Sequence, residues 1–418
     1  MPVPVPTPSQ LAWQEAGFGL FLHFGINTFH GAEWSDGTLD PAGFDPAALD
    51  TAQWVDTAVR AGARYVVLTA KHHDGFCLWP TDTTDYSVRS SPWRGGRGDV
   101  VGELAEACRA AGIGLGLYLS PWDRNAPCYQ DPAAYDALYQ RQLTELCTRY
   151  GPLYELWFDG AGSEDRAYDW DAVMALIDRH QPDAMVFNMG RPTIRWIGNE
   201  DGLAEDPCHY TVDSRRISIY AGADARLDQA RYLPPECDVP IRGNWFWQPD
   251  DLHTLKTRDH LLALWYRSVG LGAGLLLNVP PDRNGRIDDH DRARLHEFSD
   301  ELARRFRTPH PALLTADGDG LVARFAEPVL IDHLELREDL TRGQLVHGHQ
   351  VLADGHPIAA GGTVGVRRVH TFEPVTVRDL RIRLTGEAGT PIAAAPDTAA
   401  LRAVTGFHTG HPEIPTPD

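Results

Sequence analysis

Two hydrophobic rhythms run through the first three quarters of the chain. Short runs are apolar at nearly every position: 17–25 (GFGLFLHFG), 63–70 (ARYVVLTA), 112–120 (GIGLGLYLS), 153–160 (LYELWFDG), 183–190 (DAMVFNMG), the shorter 193–199 (TIRWIGN) and 273–281 (AGLLLNVPP). Such runs fit strands buried on both faces. Between them the apolar residues recur at helical spacing. After Gly98, Val101, Leu104, Cys108 and Ala111 share one face, Asp99 stands where an N-cap belongs and Gly112 follows the last helical residue. Segments 132–149, 168–180, 250–268 and 288–306 carry the same signature. Buried strands alternating with amphipathic helices predict a parallel sheet covered by helices. Seven or eight such units in about 300 residues favour a closed (β/α)8-like barrel over an open doubly wound sheet. No G-x-G-x-x-G follows the first run and no Walker lysine occurs, so a nucleotide-binding sheet is disfavoured. The RGD tripeptide at 97–99 is accounted for by Asp99 as a helix cap.

Beyond residue 308 the rhythm changes. Segments such as LVARFAEPVLIDHLELRE and VRDLRIRLTG alternate over short distances between Gly and Pro, with no helical period, as strands of a β-sandwich do. The expected organisation is an α/β barrel over 1–307, a C-terminal β-sandwich accessory domain over 308–410 and a loose tail over 411–418.

Charge narrows the partners. Acidic residues outnumber basic ones 58 to 38, a net −20 that repels a phosphate backbone and offers no basic membrane-binding face. Nucleic acid and membrane are therefore not expected, nor is a membrane span, since no apolar run approaches about 18 residues. The opening MPVPVPTPSQ lacks the basic start and apolar stretch of a secretory signal, which suggests a cytoplasmic protein. Six cysteines without C-x-x-C spacing read as reduced packing thiols. Oligomeric state is not legible.

Reactive side chains of a (β/α) barrel gather at the C-terminal ends of its strands. Those ends carry His23, the Lys71–Asp74 cluster, Asp159 and Glu200. Singly, each could be a hydrogen-bonded core group or a cap. Together, on successive strands, they mark a cleft. Metal binding by His72, His73 and Asp74 is the first alternative, but adjacent residues of an extended chain point apart, the first strand carries no H-x-H, and no H-E-x-x-H helix occurs. No metal and no cofactor are expected. A carboxylate pair fits glycoside hydrolysis, which needs one group to attack and one to protonate, roughly 5–5.5 Å apart when configuration is retained. Sugars also need aromatic faces, and Trp34, Trp79, Trp122, Trp157, Trp196, Trp245 and Trp247 fall near the loop side; Trp54 and Trp265 lie in helical stretches and read as packing.

On these residues the sequence resembles the α-L-fucosidases of glycoside hydrolase family 29 over about residues 10–306. GFGLFLHFGIN looks like the family's first-strand motif, EWSDG like its Glu-Trp loop, TAKHHDGFCLW like its signature and LWFDG like its nucleophile strand. IRWIGNE, ECDVPIRGNWFW and GLLLNVPPDRNG resemble the branch selective for α-1,3 and α-1,4 linkages, whereas EDPCHYT at 205–211 departs from that branch. The resemblance implies a retaining exo-glycosidase that releases terminal α-L-fucose from fucosylated oligosaccharides through a covalent fucosyl-enzyme. It implies Asp159 as nucleophile and Glu200 as acid/base, with Glu205 and Glu236 as alternatives for the latter. His23, His72 and His73 would grip sugar hydroxyls and Glu33 and Trp34 the rim. Tyr118, Trp157, Trp196 and Trp245 would line the pocket, and Phe21, Phe24 or the 245–247 segment would meet the fucose methyl. The competing readings are a carbohydrate-binding barrel without catalysis and a metal-dependent hydrolase.

Overall fold

In the computed structural model, which describes residues 3–163, 166–212, 230–318, 320–392 and 400–416, each apolar run forms a strand. These are β1 (Phe18–Leu22), β2 (Tyr65–Lys71), β3 (Gly114–Leu119), β4 (Glu155–Trp157), β5 (Met185–Phe187), β6 (Arg195–Trp196) and β8 (Gly274–Asn278), together with β7 (Pro235–Pro240). They pair in the order β5-β4-β3-β2-β1-β8-β7-β6, each with its neighbour in parallel. A parallel bridge between Phe187 and Ile194 brings the two ends together, so the barrel is nearly closed. Strand β7 is absent from the sequence reading because ECDVP puts acidic residues where a buried strand ordinarily carries apolar ones.

Alternation along each strand builds two cores. Phe21, Tyr65, Val67, Tyr118, Trp157, Met185, Phe187, Trp196 and Leu276 fill the interior, while Leu20, Leu22, Val66, Leu68, Leu115 and Leu117 face the helices. The interior is crowded enough to require glycine at position 19, where a Cβ would stand 2.5 Å from the Tyr65 ring. Helix α1 (Pro8–Ala16) sends Trp13 into this interior, where its indole donates to Glu155 Oε2 at 3.1 Å. After β1 come the short α2 (Ile26–His30) and α3 (Thr51–Ala61). Helices α4 (Val100–Ala111), α5 (Pro132–Arg149), α6 (Trp170–His180), α7 (Arg258–Arg267) and α8 (Asp289–Arg305) follow β2, β3, β4, β7 and β8. Among the described residues no helix follows β5 or β6; the latter connection carries a two-residue ladder of Thr211–Val212 with Arg231–Tyr232.

Helix α4 buries Val101, Leu104 and Cys108 together with Val100 and Ala105 and leaves Ala111 exposed, so the buried face is broader than the spacing implied but ends before the last turn. Helix α7 begins at Arg258 and not near residue 250, because the preceding polar groups are engaged elsewhere. Asp251 pairs with the buried Arg242 at 2.7 Å, and Lys256 donates to the Pro240 carbonyl at 2.6 Å. All six cysteines are unpaired thiols, and among the described residues no helix is long and apolar enough to cross a membrane.

Past α8 the chain enters β9 (His310–Pro311), β10 (Leu313–Asp317), β11 (Gly320–Glu338), β12 (Gly348–Ala353), β13 (His356–Gly361), β14 (Arg368–Thr385) and β15 (Leu401–Phe407). They form a seven-stranded antiparallel sheet in which β11 pairs with β14 along most of its length, with two register shifts. Phe325, Ile331, Leu334, Val351, Leu380 and Val404 belong to its single core. Tyr266 of α7 and His333 of β11 meet at 2.8 Å, and Arg368 holds Asp206 through two 2.8 Å bonds. The two parts therefore meet through polar contacts, one buried and one part-buried.

Asp99 caps α4 through Gly102 N at 2.8 Å and accepts from the Tyr150 hydroxyl at 3.1 Å. Asp99→Ala is expected to lower stability by about 1–2 kcal/mol, read as a shift in the urea midpoint at unchanged slope.

Candidate active site

A bulge in β2 sorts the ionisable cluster that ends it. Thr69 pairs with Tyr118 but Lys71 pairs with Leu119, so one extra residue is inserted on β2. The bulge reverses the alternation that would have aimed Lys71 inward. Its ammonium turns to the helix side, 2.9 Å from Asp123 Oδ2 and 3.0 Å from Gln142 Oε1, where it is fully buried. His72 and His73 then reach the cleft, while Asp74 organises the loop by accepting from Phe76 N at 2.7 Å and Asn27 Nδ2 at 3.1 Å.

The cleft, about 180 Å³ and open at its mouth, brings together His23, Glu33, Trp34, His72, His73, Tyr118, Trp157, Asp159, Trp196, Glu200 and Trp245 of the side chains expected there. Asp159 follows β4. Its Oδ2 accepts from the Tyr118 hydroxyl at 3.0 Å and faces His73 Nε2 at 3.5 Å, and its Oδ1 accepts from Ala161 N at 2.9 Å. Burial alone would raise this carboxyl, but His73, the Ala161 amide and Tyr118 outweigh it and hold it below the ordinary aspartate range. The carboxylate is the stable form. His73 is oriented from behind: Ser120 Oγ donates to the Trp122 carbonyl at 2.7 Å and so accepts from His73 Nδ1 at 2.7 Å.

His23 is fixed by the same logic. Asn278 Nδ2 donates to the Trp245 carbonyl at 2.8 Å, which leaves Asn278 Oδ1 to accept from His23 Nδ1 at 2.8 Å and makes Nε2 an acceptor. Burial pushes the His23 imidazole down to about 3, against the pull of Asn278 and Asp159, so the ring is neutral. Burial and the neighbouring His73 and His23 likewise press His72 well below its usual value. His72 Nδ1 is buried without a hydrogen-bond partner among the described residues, 3.9 Å from Asp74 Oδ2. No three His, Cys, Asp or Glu side chains converge as ligands for a metal among the described residues.

Glu200 sits at the exposed rim after β6. Partial shielding from water and the negative charges of Asp159, Glu33 and Asp201 raise its carboxyl, opposed by a hydrogen bond from the Trp245 side chain. The two carboxyls are thus driven in opposite directions within one cleft. The floor is aromatic: Trp157 stacks on Phe187 at 3.9 Å and on Tyr118 at 5.4 Å between centroids, with Phe21 5.2 Å away. Trp34 stands half exposed at the rim, edge-on to His73 and backed by Trp122.

Several sequence expectations need correction. Glu236 is not in a loop but in β7, fully buried beneath the floor, where it accepts from the Tyr65 hydroxyl at 2.9 Å and Trp157 Nε1 at 3.0 Å. Burial, its bonds to these donors and the adjacent Glu155 engage it in the barrel interior, away from the cleft lining. Glu205 is exposed and also outside the lining. Trp79 is wholly buried on the helix side, donating to Glu145 at 2.7 Å. Phe24 packs with Phe44 and Trp54 in the outer core, leaving Phe21 and Trp245 as the apolar wall. Trp247 lies outside the lining. The sequence reading missed Asn188 and Asp238 in the lining and the orienting groups Ser120 and Asn278. Ser120 and Asn278 do end apolar runs, which was the available signal.

A nearly closed parallel barrel with carboxyls, imidazoles and indoles gathered at its strand ends has the architecture of the barrel glycoside hydrolases. The sequence model of the α-L-fucosidase family matches residues 6–305. An α-L-fucosidase 1 of Arabidopsis thaliana is 46% identical over 307 residues, 71% of this chain and 60% of that protein, so the chain spans well under two thirds of this plant relative. The crystal structure of a glycoside hydrolase 29 family member from an unknown rumen bacterium has a TM-score of 0.85 at 32% identity, covering 98% of this chain and 78% of that one. A Ruminococcus gnavus fucosidase of the same family, solved with fucose, has a TM-score of 0.83 at 26% identity, covering 98% and 96%. The chain belongs to the α-L-fucosidase family.

Removing the Tyr118 hydroxyl takes a donor from the Asp159 carboxylate. Tyr118→Phe is expected to move the Asp159 titration upward, measured by carbon NMR of labelled aspartate; an unchanged midpoint would refute the hydrogen-bond account.

Proposed function

We propose that this protein is a retaining exo-α-L-fucosidase acting on terminal α-L-fucose of fucosylated oligosaccharides. The observation that carries the reading is the opposed electrostatics of two carboxyls in one cleft, Asp159 held ionised and Glu200 pushed toward its protonated form. In the first step an Asp159 oxygen bonds to the anomeric carbon while the bond to the glycosidic oxygen breaks and that oxygen takes the Glu200 proton. In the second, Glu200 as carboxylate takes a proton from water, whose oxygen bonds to the anomeric carbon and frees Asp159. Two inversions retain configuration. The binding of fucose by the Ruminococcus gnavus relative supports the choice of sugar.

The neutral imidazoles suit this substrate. His23 Nε2 accepts from a sugar hydroxyl, and the unpartnered His72 Nδ1 gains a partner when a polyol enters. Phe21 and Trp245 offer the apolar wall that a methyl in place of a hydroxymethyl group calls for. The motifs IRWIGNE, ECDVPIRGNWFW and GLLLNVPPDRNG favour α-1,3 and α-1,4 linkages as substrates.

Asp159→Ala is expected to cut turnover at least about a thousandfold, about 4 kcal/mol in barrier, with the fold intact by circular dichroism. Added azide should then yield a fucosyl azide of inverted configuration; full activity in this variant would end the proposal. For linkage, a panel of branched α-1,3/1,4 and linear α-1,2 fucosylated oligosaccharides is expected to release fucose chiefly from the branched members. Release from α-1,2 forms alone would refute the linkage assignment.

A further inference from the structure

The segment ECDVP carries two acidic residues that the chemistry above leaves unused. On β7 the side chains alternate, so Cys237 and Val239 pack outward with the helices while Glu236 and Asp238 belong to the interior face. Glu236 occupies the lower layer, under the Trp157 indole. Asp238 lies one layer higher, paired in register with Leu276 of β8, and lines the cleft beside Glu200. Its Oδ1 accepts from Trp196 Nε1 at 2.6 Å, and among the described residues no hydrogen bond engages Oδ2.

The surroundings decide what Asp238 can be. Four carboxyls, Glu33, Asp159, Glu200 and Asp238, line this cleft, and none of the described lining residues is Lys or Arg. Asp238 is the most enclosed of the four, with 3% of its surface exposed, and an ionised group there would stand beside other negative charges with the Trp196 indole and its own backbone amide for compensation. A protonated carboxyl instead carries an O–H for which no hydrogen bond supplies an acceptor among the described residues.

We propose that Asp238 is a further substrate-binding residue, which presents Oδ2 as a hydrogen-bond donor to an acceptor oxygen of the bound sugar while the Trp196 indole fixes Oδ1. Burial and the charges of Glu200 and Glu236 hold the carboxyl well above the ordinary aspartate range, against the Trp196 bond, in keeping with a donor role. The ring and glycosidic oxygens of a pyranoside accept without donating, so an uncharged donor complements them where a carboxylate would repel them. The inference rests on the cleft being the sugar site proposed above.

The test is calorimetric titration with free fucose of the wild type, Asp238→Asn and Asp238→Ala, with turnover of an aryl fucoside by the wild type measured alongside. Asp238→Ala is expected to weaken fucose binding by at least about tenfold, whereas Asp238→Asn, which keeps a donor and the Trp196 bond, should stay within about threefold. A loss in Asn equal to that in Ala, or wild-type affinity in Ala, would each overturn the proposal. Should the Ala variant fail to fold, the isosteric Asn variant decides, affinity within threefold supporting the donor and a tenfold loss ending it. A wild type that neither binds fucose nor turns over the fucoside overturns the cleft reading itself, an outcome separate from any pattern among the variants.

Discussion

Confinement of negative charge without a lysine or arginine to neutralise it is the condition this cleft is built around. Four carboxyls share a space lined, among the described residues, by aromatic rings, imidazoles, an amide and small residues. At low effective dielectric, each carboxyl that stays ionised must be stabilised by hydrogen-bond donors aimed at it. Asp159 receives them, from the Tyr118 hydroxyl and the Ala161 amide, and faces His73 as well. Glu200, at the rim, receives one indole and the repulsion of its neighbours. The difference between two chemically similar groups is a difference in where the fold points its hydrogen-bond donors.

Those donors are held by layers beneath them. Tyr118 reaches Asp159 from a stack on Trp157, whose indole is tethered to Glu236, which in turn accepts from Tyr65. Ser120 turns His73 and Asn278 turns His23, each from the end of a barrel strand. The barrel is therefore filled to its mouth, and the site is the top of a packed column. The bulge in β2 completes the arrangement by sending Lys71 to Asp123 on the helix side, which keeps a positive charge out of the cleft. Had Lys71 followed simple alternation, its ammonium would have entered the cleft and offered the carboxyls a direct counter-charge.

Much of this was legible in the chain. The seven apolar runs marked seven of the eight barrel strands, and the polar residues at their ends marked His23, His72, His73, Asp159 and Glu200. Strand β7 escaped because its inward face carries Glu236 and Asp238, and hydrophobic periodicity cannot signal a strand whose buried side chains are acidic. The same blindness set Glu236 among possible proton donors. A glutamate in a list of residues carries no sign of whether it faces water or lies under a tryptophan. Trp79 and Phe24 show the complement: an aromatic near a strand end has two sides of the barrel wall open to it, and for these two it is the helix side.

What the sequence determined by itself is the strand and helix rhythm, hence a parallel barrel followed by an antiparallel β domain, and the chemical types collected at the strand ends. These follow from periods of two and 3.6 residues, which are local properties of the chain. What only the tertiary structure decided is orientation and electrostatic environment: Lys71 outward and His72 inward, Asp159 ringed by donors, Glu236 and Asp238 on one face of β7 but in different layers. Those outcomes depend on partners brought together from distant positions, such as Asn278 for His23 and Glu236 for Trp157, and no local pattern encodes a contact whose other half lies on another strand.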